Sequence, residues 1–307
     1  MKKLSLFLLS LIMLVSLTAC DSGDYKKAKK LYERGQYSEA AAIFEQLGYY
    51  EDSPEMAKKS QYQQALALAA DREFDRAIKA FTELGDYEDC TERLAAVQNE
   101  KAVVEAMEGQ VWYYNGGSKT KLNSISFDKK QATVSKVYFD GNGKHDDGSN
   151  AYPYEVGKKA ISVKTDDGDL TINYQLANNS ITLEKKQFFT PMQVQKGLQG
   201  YWKYSYSEYV KGIYTKGEYN FYIKNDKIKY EHAAIGWSGD EYYYYYGPYS
   251  GSIKIQFGGF DTDVFNGVLY GFNIISGKPT LMYLDHPCKS VKLKKLPGED
   301  GYYHLLK

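Results

Sequence analysis

Residues 37–52 read YSEAAAIFEQLGYYED, and residues 74–89 read FDRAIKAFTELGDYED. The second stretch repeats the first at a shift of 37 positions. Ala40 falls on Ala77, Phe44 on Phe81, Leu47-Gly48 on Leu84-Gly85, and Tyr50-Glu51-Asp52 on Tyr87-Glu88-Asp89. The match extends upstream, where Tyr25, Ala28 and Leu31 fall on Tyr62, Ala65 and Leu68. A fixed period of this length marks a helical repeat array, in which each unit buries its apolar face against the next. Ala40 and Phe44 are four residues apart, as are Ala77 and Phe81, so each pair shares one helix face. Gly35, Gly48 and Gly85 stand where helices should stop in a left-handed residue. Ser53-Pro54 reads as an N-cap followed by proline at the first helical position.

Outward from this repeat, residues 24–108 stay rich in Ala, Glu, Lys and Leu, a helical composition. The spacing predicts two helical hairpins and a closing helix over 89–107. Ala102 lies one further period beyond Ala65, but Glu105 replaces the apolar residue, as suits an end unit facing water. The small and large apolar residues at Ala28, Leu31, Gly35, Tyr37, Ala40, Phe44 and Leu47 resemble the tetratricopeptide repeat. That family repeats at about 34 residues; the extra residues of this chain fall in the Tyr50-Glu51-Asp52 loop. The resemblance implies stacked helical hairpins, acting as a spacer or as a peptide-binding surface. Residues 21–108 carry 12 Lys/Arg and 19 Asp/Glu, net −7, whereas 109–307 carry net +5. That asymmetry favours docking of the two halves, or a basic ligand on the arm.

The N-terminus reads as an address. Lys2 and Lys3 precede an uncharged apolar run from Leu4 to Leu17, too short for an ordinary membrane-spanning helix. Leu17-Thr18-Ala19-Cys20 then resembles the lipobox of bacterial lipoproteins. The resemblance implies diacylglycerol on the Cys20 thiol, cleavage after Ala19, and display on the outer face of the cell membrane. Two acyl chains give stable anchorage where one is marginal.

After Glu108-Gly109 the composition turns to Tyr, Val, Ile, Thr, Gly and Asn, in short runs between turn residues. Candidate strands are 124–127, 132–139, 160–165, 170–174 and 181–183, then 218–223, 227–230, 241–246, 252–257, 269–275, 280–283 and 290–293. Phe188–Gln195, with Pro191, reads as a linker. The fold class is therefore α followed by all-β: a helical arm and two antiparallel sandwich or small-barrel units. The implied division is a signal peptide at 1–19, the arm at 20–108, a first β unit at 109–187 and a Tyr-rich second at 188–307. Gly200-x-Trp202 at the head of the second unit resembles lipocalin-like barrels, where such a tryptophan plugs the barrel end. That resemblance implies a carrier of a small apolar ligand.

With 43% hydrophobic and 25% charged residues among 307, the chain is globular rather than disordered. A net charge of zero gives no field for nucleic acid. Three cysteines and four histidines are too scattered for a disulfide framework or a metal cluster, although Cys90 and Cys288 could pair outside the cell. His286-Pro287-Cys288 has no partner pattern that would make it a catalytic site. Asp140–Gly148 sets oxygens at alternate positions, yet Lys144 and His145 stand where a calcium loop needs a ligand and a glycine, so a hairpin turn is expected. Neither catalysis nor a cofactor is expected.

Tyrosine is the outlier, with 31 residues, 14 of them among the 49 from Tyr201 to Tyr249. Strand alternation puts Tyr242, Tyr244 and Tyr246 on one face and Tyr243 and Tyr245 on the other. The first set is the candidate ligand face, for a cell-wall glycan or a protein partner. The expected function is lipid-anchored binding or scaffolding.

Overall fold

The computed structural model describes residues 21–183, 188–210, 213–237, 241–256, 259–262, 271–283 and 285–291. Cys20 and the rest of the address segment lie outside them. The chain divides into two compact units after Glu105. The first is helical and the second is antiparallel β, so the helix-then-β order holds.

The helices are α1 (21–33), α2 (Tyr37–Leu47), α3 (Ser53–Ala70), α4 (Phe74–Leu84) and α5 (Cys90–Met107). No helix among the described residues is long and apolar enough to cross a membrane. The sequence period is repeated in the contacts. Ala28, Ala40 and Phe44 are fully buried, as are Ala65 and Ala77, with Phe81 nearly so. Tyr25 packs edge-on against Phe44 at 5.8 Å and Tyr50 at 5.7 Å. Tyr62 does the same to Phe81 at 6.5 Å and Tyr87 at 5.8 Å. The Tyr25 hydroxyl donates to Asp52, and the Tyr62 hydroxyl to Asp89 at 2.6 Å.

The contact of Tyr25 with Asp52 corrects the expected cap of α3. Asp52, not Ser53, holds the N-cap position of α3, with Pro54 following in the first turn. The Asp52 carboxylate does not cap, because it receives Tyr25. Ser53 is the first residue of the helix and is fully buried, and its counterpart Cys90 is buried too. The helix stops fall at the expected glycines, with φ of 55° at Gly48 and 59° at Gly85, but ψ of −118° at both takes them out of the left-handed helical well into a conformation that glycine reaches easily.

In the second unit, the first seven strands run as a meander in the order β1 to β7. They are β1 (Val111–Asn115), β2 (Lys121–Phe127), β3 (Gln131–Asp140), β4 (Gly143–Val156), β5 (Ala160–Thr165), β6 (Gly168–Ala177) and β7 (Ser180–Leu183). Next comes α6 (Pro191–Gly197), where the sequence reads as a linker. It is started by a capping box: Gln193 N–H donates to the Thr190 hydroxyl, and Thr190 N–H to the Gln193 side chain. The second sheet contains β8 (Gly200–Val210), β9 (Ile213–Lys224), β10 (Lys227–Trp237), β11 (Glu241–Gln256) and β12 (Gly259–Thr262). A third is β13 (Gly271–Ile275), β14 (Lys278–Tyr283) and β15 (His286–Pro287). The last strand, β16 (Lys289–Val291), returns to pair with β8.

One apolar cluster draws on all three sheets and α6. Leu122, Val137 and Phe139 meet Val194, Leu198, Trp202, Phe221, Ile223 and Ile228, with Phe272, Ile274 and Leu281 from the small sheet. The strands β1–β7 and β8–β16 thus form separate sheets around shared apolar packing. Polar bonds reinforce it. Fully buried Asn273 donates to the carbonyl of Lys119 at 2.8 Å, and Asn115 donates to that of Ile274 at 2.8 Å. Such satisfied side-chain bonds remove the cost of burying an amide.

Candidate functional site

The expected site, Tyr242, Tyr244 and Tyr246, lies on β11. Its backbone is described, whereas these side chains lie outside the described ones. Register pairs the three positions with Gly236, Ala234 and His232 of β10. His232 in turn pairs with Tyr219 of β9, and Tyr219 with Tyr204 of β8. The three positions therefore fall on the sheet face that carries Tyr204, Tyr219 and His232.

On that face the apolar core grades into a tyrosine group. Trp202, Phe221, Ile223 and Ile228 are buried at one end. Two to four residues away along β8 and β9, Tyr204, Tyr206 and Tyr219 are half-buried. Their rings join those of His232, Tyr283 and His286 in a column. Tyr219 stacks on His232 at 4.0 Å and on Tyr283 at 4.5 Å. Tyr283 stacks on Tyr204 at 4.5 Å, and Tyr204 on His286 at 5.4 Å. The interplanar angles are 5°, 28°, 20° and 12° in that order along the column.

Tyr206 is admitted by a glycine. Its cross-strand partner is Gly217, where a Cβ would lie 2.3 Å from the Tyr206 ring. Without that Cβ the phenol lies across β9 and reaches β10, and its Oη sits 2.7 Å from His232 Nε2. Here glycine is needed for close approach rather than for a turn.

Burial keeps four members of the group, Tyr204, Tyr206, Tyr283 and His232, neutral. Burial pushes the Tyr206 hydroxyl up to about 12 and raises those of Tyr204 and Tyr283, the last also through its bond with Tyr219. Burial holds His232 below the ordinary histidine value. At neutral pH the phenols keep their protons and the His232 imidazole is uncharged. The flat ring faces are taken up by one another, and the Tyr206 hydroxyl by His232.

The other singled-out residues have local roles. Asp140 accepts from Asn142 N–H at 2.7 Å and contacts His145 Nε2 at 2.8 Å, and His145 stacks on Tyr138, so the expected hairpin turn is formed. Cys90 and Cys288 are both buried free thiols. Burial pushes the Cys288 thiol up to about 12, far from a reactive thiolate. Among the described residues no cluster of His, Cys, Asp or Glu could hold a metal ion.

The sequence singled out β11 and passed over Tyr204, Tyr206, Tyr219, His232 and Tyr283. The available signal was alternation in Trp202-x-Tyr204-x-Tyr206 and Tyr219-x-Phe221, with a glycine at 217. No family model, curated protein or solved structure matches the chain.

Proposed function

We propose that the chain is a lipid-anchored binding or scaffolding protein on the outer face of the cell membrane, without catalytic activity of its own. Diacylglycerol on Cys20 holds it to the membrane. The arm is a tetratricopeptide-like spacer, and barrel- or sandwich-type β units carry the contact surface. The partner is a cell-wall glycan or a protein, met by the tyrosine face. The observation that carries this reading is the half-buried stacked column of Tyr204, Tyr219, Tyr283 and His232 beside the core. A second reading, a lipocalin-like carrier, draws on Trp202, which is buried and donates its Nε1–H to the Leu198 carbonyl at 2.8 Å. Phe272, Ile274 and Leu281 occupy the space beside it, which favours the first reading.

Two measurements test the proposal. Cys20→Ser should abolish labelling by a fatty-acid analogue; persistent labelling overturns the anchor. Replacing Tyr242, Tyr244 and Tyr246 together by Ser should remove binding to purified cell wall while leaving most of the melting temperature. The pair Tyr243→Ser and Tyr245→Ser should differ in both respects, because the two sets lie on opposite faces. Equal outcomes for the two sets would remove the face from the proposal.

A further inference from the structure

Two turns of the repeat sit in equivalent places but differ in surface chemistry. The first joins α2 to α3, the second α4 to α5. Both keep the same acids: Glu51, Asp52 and Glu55 fall on Glu88, Asp89 and Glu92. Three other positions change together. Tyr49 falls on Asp86, Pro54 on Thr91 and Met56 on Arg93. Tyr49 is 97% exposed, and Pro54, Asp86 and Thr91 are exposed as well. The first turn thus shows water a tyrosine and a proline where the second shows an aspartate and a threonine. Arg93 bonds Asp89 at 2.9 Å, whereas half-buried Met56 packs against the cluster of Ala28, Ala40, Phe44 and Ala57.

The first turn also lies nearest the start of the described residues. Helix α1 begins at Asp21, and Cys20 precedes it by one Cα spacing, about 3.8 Å. Tyr25, one turn into α1, packs on Tyr50 at 5.7 Å and donates to Asp52. The α2–α3 turn is therefore beside the first turn of α1. Its counterpart is beside Tyr62, which lies about 13 Å along α3 from Ser53 at 1.5 Å per residue.

We propose that the α2–α3 turn is a membrane-contact surface, with Tyr49 set among lipid headgroups. This rests on the diacylglycerol at Cys20. With the anchored residue bonded directly to the first residue of α1, the start of that helix and its neighbours are held at the bilayer surface. Tyrosine favours that layer, because its ring meets the acyl boundary while its hydroxyl stays wet. The acids around it, with exposed Asp24 of α1, fit zwitterionic lipid, whose ammonium groups they can face. The second turn, with Asp86, stays in water. The arm is then held at two points, a lipid and a turn, rather than swinging from a single tether.

The test uses the lipidated mature chain, purified from membranes and returned to phosphatidylcholine vesicles. Its mass shows first whether Cys20 carries diacylglycerol. Cys90 and Cys288 are buried, so Tyr49→Cys or Asp86→Cys adds one accessible thiol for an environment-sensitive fluorophore. The label at position 49 should shift its emission to the blue, and should lose most of its intensity when lipids spin-labelled near the headgroup are included. The label at position 86 should do neither. A label on the Pro54→Cys variant should respond like that at position 49, and adding Tyr49→Asp, which copies the second turn, should remove the response. A mass without diacylglycerol would sink the anchor and this inference together. With the lipid present, equal responses at 49 and 86, no response at 49, or an unchanged response at 54 after Tyr49→Asp would overturn the membrane contact and leave the anchor standing.

Discussion

The helical unit and the β unit carry their folding information at different distances along the chain. In the helical unit the decisive contacts are short-range and recur. Tyr25 meets Phe44 and Asp52, and Tyr62 meets Phe81 and Asp89, at the same offsets in each copy. In the β unit the decisive contacts join residues far apart. Asn273 bonds a carbonyl 154 positions away, and Asn115 one 159 positions away. A periodic sequence with local contacts can be read by aligning it with itself. A core assembled from three sheets cannot, because no single stretch contains both partners of a contact.

The largest expected effects test that contrast. Phe44→Ala and Phe81→Ala each remove a buried ring from equivalent positions, so each should cost about 3–5 kcal/mol. Chemical denaturation followed by helical signal would measure it, and a change under about 1 kcal/mol at both would undo the structural repeat. Phe272→Ala should cost a similar roughly 3–5 kcal/mol in the β unit. Its effect should spread, since Phe272 touches Tyr113 of β1 at 5.5 Å and shares the cluster with Trp202 of β8. Hydrogen exchange should quicken in the first and second sheets together. If exchange quickens in one sheet alone, the shared core is not the cooperative unit.

What the sequence made legible follows the same division. The repeat, its glycine stops and the closing helix were readable because each depends on residues within one period. In the β unit, alternation found β5, β6 and β14 closely. It missed β4, whose Gly143–Pro153 stretch is polar and contains a proline. That stretch pairs with β3, while pairing with β5 is confined to Tyr154–Val156. Polar residues and proline are tolerated where a strand is paired on one side. It also missed α6, although Thr190-Pro191-x-Gln193 contains the capping box, because seven residues are too few for a periodic signal. The tyrosine column was hidden for another reason. Tyrosine content was visible, but which rings meet depends on the register of three strands and on the return of Tyr283 from β14.

An intermediate effect tests that register. Gly217→Ala would set a Cβ 2.3 Å from the Tyr206 ring, so ring or strand must move. Overpacking of this kind costs about 1–3 kcal/mol. In a Tyr206→Ala background most of that cost should vanish, because the clash is with this one side chain. A double-mutant cycle by urea denaturation measures the coupling. Additive costs would mean that Tyr206 does not cross Gly217.

The smallest effect separates the two units by pH rather than by packing. His232 lies in the β unit, half-buried against the Tyr219 ring and bonded to Tyr206. Burial lowers its folded value below the 6.5 of an ordinary histidine, while the unfolded chain retains that ordinary value. Between the two values the unfolded state holds a proton that the folded state lacks, so lowering pH favours unfolding. The contribution is complete above 6.5 and is lost as pH falls through the lower folded value. Tyr204, Tyr206 and Tyr283 titrate far above this window, because burial raises all three. They therefore do not mask it. Stability of the β unit should decline from neutral pH toward about pH 5, and His232→Gln should flatten that decline while removing the ring from the column. The comparison to make is the difference in slope between the two proteins, which cancels carboxylates common to both. A parallel pair of curves would mean that His232 is not shielded, and that the column is open to water at its β10 end.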